Sequence, residues 1–211
     1  MLHRRSVILA YIGVFSSLSI VLAISRVEIS YPLLPYLKFD FAEVPVMIVF
    51  MLCGPVPAIV AEIIHWMGLT FRSGAWIGPL MKFLAVISMI IGFWIGIKIG
   101  TKVMREKAGS LKIFLLGTIF GALLRVIVCT FTNIALFLYI DPRYLQFTGT
   151  ILRAMGLNVS SSLDILTWTL IFTGIFNMAH VPLSSVTSLL ILKAALKKIP
   201  AIARSIWFLQ L

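Results

Sequence analysis

Charged side chains are scarce in this chain of 211 residues: 12% are charged, whereas 61% are hydrophobic. The mean hydropathy is +1.09. A water-soluble domain normally has about half apolar and about a quarter charged residues. The composition therefore excludes an ordinary soluble domain and predicts an all-α integral membrane protein.

Cysteine is also scarce, because the chain has only Cys53 and Cys129, both among apolar residues. Two such cysteines indicate neither a disulfide framework nor a metal site. The sequence lacks H-E-x-x-H, G-x-S-x-G and G-x-x-x-x-G-K-[ST], the motifs of zinc proteases, serine hydrolases and P-loop nucleotide sites. We therefore expect no enzymatic activity and no cofactor, and any uphill transport must draw its energy from another protein.

The formal net charge of +11 would indicate a nucleic-acid partner if the protein were soluble. No aromatic and basic residues interleave as single-strand binding requires, so we expect no nucleic acid. Lys and Arg instead accumulate at the cytoplasmic ends of membrane helices. The charge thus indicates an orientation in a lipid membrane.

Apolar segments predict a single transmembrane domain over residues 1–211 that crosses the membrane six times. The predicted helices lie at about 6–25, 44–52, 55–69, 78–104, 111–140 and 163–197. The second and third helices come from one apolar stretch, which Gly54, Pro55 and Pro57 divide because such a cluster breaks a helix. Five crossings would place the basic loop 98–112 outside the cell, against the positive-inside rule. Six crossings leave both termini cytoplasmic, with the N-terminal Arg4 and Arg5, the basic loop and Arg204 on the inside.

The stretch YPLLPYLKFDFAEVPVM, residues 31–47, then lies in the first external loop. Long loops stiffened by prolines are typical of lids or binding segments. Tyr36, Lys38 and Asp40 are therefore candidate ligand-binding residues. In the alternative interpretation, Asp40 and Glu43 do no more than stabilise the positive end of the following helix, and the stretch is a connector.

Polar side chains within the predicted crossings are functional candidates, because an unpartnered polar group is costly in the hydrocarbon core. The ligand-binding candidates there are Glu62, His65, Lys82, Asn133, Asn177 and His180. Most fall in the outer half, which predicts an outward-opening ligand pocket. Hydrogen bonding between helices is the alternative for each residue alone.

Arg125 lies deeper and needs a partner, for which Glu62 is the only acid within the predicted crossings. Aromatic side chains near the polar set predict a stacking surface for a planar ligand, namely Trp66, Phe71, Trp76, Phe83 and Phe131. The two amides suit such a ligand because each offers both donors and acceptors.

Small residues on the first helix, Ser6, Ala10, Gly13 and Ser17, recur at spacings of four, three and four. This pattern gives one helix a flat stripe that another helix can approach closely. The stripe predicts either a partner protein or packing against the chain's own helices.

Several motifs together resemble the substrate-binding S components of energy-coupling factor (ECF) vitamin transporters, and among them the riboflavin-specific members. These motifs are YLKFDFAEVP, GPVPAIVAEII, SGAWIG, the FTN that ends at Asn133 and the FN that ends at Asn177. The resemblance implies a prokaryotic, multi-pass cell-membrane protein in which Asn133 and Asn177 hydrogen-bond the flavin ring.

The resemblance also implies a function: high-affinity riboflavin capture for an ECF-type ABC importer. The partners would be a transmembrane coupling protein, contacted by the stripe on the first helix, and two cytoplasmic ATPases. Riboflavin would be the transported ligand rather than a cofactor. Two alternatives stay open, an S component for another vitamin and a stand-alone homo-oligomeric small-molecule transporter.

Overall fold

The computed structural model of the protein describes residues 2–104, 111–198 and 207–210, and these are almost entirely helical. The elements in chain order are α1 (Leu2–Ser25), β1 (Glu28–Ser30), β2 (Lys38–Asp40), α2 (Val44–Cys53), α3 (Pro55–Ser73), α4 (Ile77–Met104), α5 (Leu111–Ala135), a π-helical turn (Leu136–Ile140), α6 (Arg143–Ala154), α7 (Ser162–Lys198) and α8 (Trp207–Gln210).

Within the described residues, 4 helices are long and apolar enough to cross a membrane: Arg5–Ser25, Ile77–Met104, Leu111–Ile140 and Ser162–Lys198. Helix α2 is apolar but shorter. These helices make the chain a membrane protein, whereas the count of six crossings stays a prediction. Arg105, Lys107 and Arg204, on which the predicted orientation partly depends, lie outside the described residues, so the cytoplasmic placement of both termini is also still a prediction.

Helices α2 and α3 are separated at Gly54, where the sequence predicts a break. Gly54 has φ +96°, a backbone conformation that favours glycine, and Pro55 begins α3. A Cβ atom at Gly54 would lie 3.2 Å from the Trp207 ring, so α8 packs directly against this break.

Glycines bring α4 and α5 into backbone contact. A Cβ atom on Gly92 would lie 2.5 Å from the Phe120 carbonyl oxygen, and one on Gly96 would lie 2.8 Å from the Gly117 Cα. Close approach of this kind increases the dispersion contacts that hold helices together in lipid. The pair α4–α5 therefore forms one tightly packed unit, and Phe93 is fully buried within it.

The segments between the long helices contain structure that the all-α prediction missed. Strands β1 and β2 pair in antiparallel register, with Glu28 opposite Asp40 and Ser30 opposite Lys38. Helix α6 is amphipathic and buries Leu145 and Leu152. The chain is thus nearly all helical, with a two-stranded β1–β2 segment that the all-α prediction did not include and a helix in the predicted loop before α7.

Candidate functional site

A cavity of about 400 Å³ lies where α1, α3 and α5 end and α4 begins, and residues 173–180 within α7 complete its lining. The β1–β2 segment contributes Tyr36, Lys38 and Asp40 to its lining, and α6 contributes Tyr144. This size is in the range of pockets that hold small-molecule ligands. Because the orientation of the bundle is still a prediction, so is the outward direction of the opening.

The floor of the cavity contains a buried ion pair. Arg125 of α5 is only 2% exposed, and Glu43, one residue before α2, is fully buried. Two Arg125 nitrogens donate to the two Glu43 carboxylate oxygens, at 2.6 and 2.9 Å. This bidentate geometry offsets much of the cost of removing both charges from water.

The predicted partner of Arg125 is therefore wrong: the acid is Glu43 and not Glu62. Glu43 also does more than stabilise the start of α2, since its side chain lies inside the bundle. Glu62 pairs instead with His65, whose Nδ1 lies 3.0 Å from a Glu62 carboxylate oxygen.

Three α7 side chains extend the network around this ion pair. The Asn177 Oδ1 accepts a hydrogen bond from the Arg125 Nε at 2.8 Å. Ser184 donates to a Glu43 oxygen at 3.3 Å. The His180 ring lies between the Arg125 guanidinium, 3.4 Å from Nδ1, and the Asp40 carbonyl oxygen, 3.2 Å from Nε2. His180 thus links α7 to the end of β2.

Two further ion pairs lie nearer the mouth of the cavity. The Lys82 Nζ of α4 is 2.5 Å from the Asp40 carboxylate, and Lys38 pairs with Glu28 across the β1–β2 sheet. The first pair ties the β1–β2 segment to α4. Burial raises the pKa of the Tyr36 phenol in the same segment, so its hydroxyl stays neutral and able to donate.

Asn133 lies on the α5 wall, half-buried. Its amide nitrogen donates to the Cys129 carbonyl oxygen one turn earlier, at 2.7 Å. Within the described residues its Oδ1 has no hydrogen-bond partner. Asn133 therefore reaches the cavity with an unused acceptor.

The cavity brings together most of the candidate ligand residues that the sequence indicated: Tyr36, Lys38, Asp40, Lys82, Asn133, Asn177 and His180 all line it. Glu62 and His65 are fully buried but do not line it. They face a different part of the helix packing, where each has one side-chain atom without a partner in the part of the chain that the structure describes.

The aromatic lining differs from the prediction. The predicted residues do not line the cavity: Trp66 and Phe83 pack against each other at 5.1 Å, and Phe71, Trp76 and Phe131 are exposed on the bundle surface. The residues that do line it are Tyr36, Phe137, Tyr144 and Phe176. Sequence position alone does not reveal which side of a helix an aromatic residue occupies.

Comparison with known proteins decides the family. Residues 8–192 match the family described as ECF transporter, substrate-specific component. The chain belongs to this family. The S component is therefore a transporter's substrate-binding subunit and not an enzyme, and what it binds is transported substrate rather than a cofactor. Membership implies association with a coupling protein and an ATPase module, and a vitamin-type ligand.

A solved structure supports the fold of the S component. That structure is of the S component of a bacterial ECF transporter. The two chains are 21% identical and align with a TM-score of 0.67, covering 92% of this chain and 98% of the other. No curated protein matches the sequence.

The small-residue stripe of the S component, Ser6, Ala10, Gly13 and Ser17, lies on the exposed side of α1. A Cβ atom on Gly13 would have nothing within 4 Å. The side of α1 that packs inward carries Ile12, Ser16 and Ser19 instead. The stripe is thus not the surface through which α1 joins the rest of the described bundle.

Proposed function

We propose that this S component captures riboflavin from outside the cell and delivers it through an ATP-driven coupling module. The observation that carries the proposal is the pair of amides that line the cavity, Asn133 on α5 and Asn177 on α7. Both have hydrogen-bonding capacity left for a ligand.

The remaining capacity follows from the bonds already made. An amide side chain has two N–H donors and an oxygen with two lone pairs. Asn177 uses one donor on the Thr173 carbonyl oxygen and one lone pair on Arg125. Asn133 uses one donor only. Each amide can therefore still donate and accept, which suits the alternating C=O and N–H groups along the edge of a flavin ring.

The rest of the lining supports a planar, largely apolar ligand. Phe137 and Phe176 offer aromatic surface beside the amides, and Met81 and Leu136 add apolar contacts. Pockets of this kind bind mainly through apolar burial, and a few polar groups fix the orientation. The family membership favours such a capture subunit over a stand-alone transporter.

The first prediction concerns the ligand. The purified S component in detergent should quench the fluorescence of added riboflavin and saturate at one flavin per chain. Other water-soluble vitamins, added in excess, should fail to compete. An absence of quenching, or equal competition by another vitamin, would show that the ligand assignment is incorrect.

The second prediction concerns delivery. We expect Ala10→Trp and Gly13→Trp to abolish uptake in vesicles that also contain the coupling protein and ATPases, because a bulky ring prevents close approach of a partner helix. Riboflavin binding should persist, since the Gly13 position faces open space. Measuring uptake and binding on the same preparations separates the two effects.

Leu18→Trp is the matched control for these variants. Leu18 is also exposed on α1, about 100° around the helix from Ser17, so it lies away from the stripe. We expect normal uptake from it. Loss of uptake in all three variants would mean that α1 tolerates no bulky residue, and the stripe would have no special role.

A further inference from the structure

The cavity has an excess of positive charge. Apart from His180, its lining includes five basic and three acidic residues. Each acid has a basic partner: Glu28 with Lys38, Asp40 with Lys82 and Glu43 with Arg125. Two lining cations, Arg26 and Arg72, have no acidic partner among the described residues.

Both arginines also line a second, adjoining cavity of about 390 Å³. Its other lining residues are Leu69, Ser73, Gly78, Pro79 and Lys82, so it contains basic side chains and no acidic one. Gly78 is in the first turn of α4, where the positive end of the helix dipole adds to the field. The two cavities share Arg26, Arg72 and Lys82, so one ligand can extend from the first into the second.

The backbone around the arginines holds this arrangement in place. Arg72 donates one hydrogen bond to the Ala23 carbonyl oxygen at 2.7 Å, which joins the end of α3 to the end of α1 and leaves its other donors free. Arg26 follows α1 with φ +54°, a conformation in which glycine is normally preferred. An arginine at this position puts a cation at the junction of the two cavities.

We propose that the second cavity is a subsite for a phosphate monoester on the transported ligand. A phosphate monoester carries a charge of about −1.5 to −2 at neutral pH, which matches the two unpaired arginines. Arginine also binds its oxygens through two parallel N–H donors. This inference rests on the proposed function. The preferred substrate would be a flavin whose ring lies against Asn133 and Asn177 and whose phosphorylated side chain extends to Arg26 and Arg72.

The test compares riboflavin with riboflavin 5′-phosphate on the purified S component. We expect the phosphate ester to bind about 10- to 100-fold more tightly at low salt, and the preference to shrink as salt screens the charges. In the Arg26→Gln/Arg72→Gln double variant the preference should disappear, because the affinity for the phosphate ester should fall to that for riboflavin. Arg143→Gln removes the same charge from an arginine that lines neither cavity, and should keep the preference.

The Arg26→Gly variant tests whether a lost preference for riboflavin 5′-phosphate results from poor folding. Glycine accepts φ +54° without strain, so this variant should unfold at no lower temperature than the parent and still lose part of the preference. Equal binding of both flavins by the parent protein would overturn the subsite and leave the proposed function intact.

A failure of both flavins to bind would overturn the proposed function, and inorganic phosphate would then decide the subsite. Phosphate should raise the unfolding temperature of the parent and of Arg143→Gln more than that of the double variant. The same shift in all three proteins would overturn the subsite.

Discussion

Replacing Arg125 with methionine is expected to destabilise the ligand-free S component by about 3–5 kcal/mol, because Glu43 would then be a buried charge without its partner. Unfolding of the detergent-purified protein, followed by tryptophan fluorescence, measures the loss. Arg143→Met is the control: Arg143 pairs with Asp141 at the surface with a side chain 87% exposed, so its replacement should leave the unfolding midpoint almost unchanged.

The Glu43→Met/Arg125→Met double variant should be markedly more stable than either single variant, since no unpaired charge remains. Recovery should be incomplete because Asn177 and Ser184 also lose partners. A double variant no more stable than Arg125→Met would contradict the ion pair, and so would a single variant as stable as the parent.

Asn177→Ala and Asn133→Ala are expected to weaken riboflavin binding by about 1–3 kcal/mol each, roughly 5- to 150-fold, because each removes a buried hydrogen-bonding group from the ligand. They should differ in the ligand-free protein. Asn177→Ala also leaves the Arg125 Nε without its acceptor, so the unfolding midpoint should fall. Asn133 bonds only within its own helix, so its replacement should leave the midpoint unchanged.

Affinity from fluorescence quenching, measured beside unfolding without ligand, distinguishes these effects. If both variants bind riboflavin as the parent does, the amides do not contact the ligand. If Asn177→Ala lowers stability but not affinity, Asn177 serves the ion pair alone.

The sequence was sufficient to predict a helical membrane protein, and seven of the nine ligand candidates that it indicated line the cavity. Asn133, Asn177 and His180 stand out because each is a polar residue in an apolar helix, where a structural or ligand partner is required. This signal comes from composition alone and does not depend on knowing how the helices pack.

Pairings between distant segments could not be predicted in the same way. The sequence indicates Glu62 as the partner of Arg125, because Glu62 is the only acid within the predicted crossings. The structure pairs Arg125 with Glu43 because the end of the first loop enters the bundle. How deep a loop residue lies depends on long-range packing, which local periodicity does not encode.

The two missed elements have different explanations. Strands β1 and β2 are three residues each, too short to show an alternating pattern. Helix α6 does carry a helical signal, since its buried Leu145, Thr148 and Leu152 recur at spacings of three and four. The sequence therefore contains this signal, although the segment between the predicted helices 111–140 and 163–197 was assigned as a loop.

The backbone contact between α4 and α5 allows the choice of vitamin and the residence time of the bound vitamin to depend on different parts of the S component. Lys82, Arg125 and Asn133 project from this tightly packed pair, so these cavity-lining groups, through which we propose that the ligand is recognised, have fixed positions. Tyr36 and Asp40 belong instead to the short β1–β2 segment, which the Asp40 contacts with Lys82 and His180 hold against α4 and α7. Substitutions on α4 and α5 should therefore change which vitamin is chosen, whereas substitutions in the β1–β2 segment should change the residence time of the same vitamin.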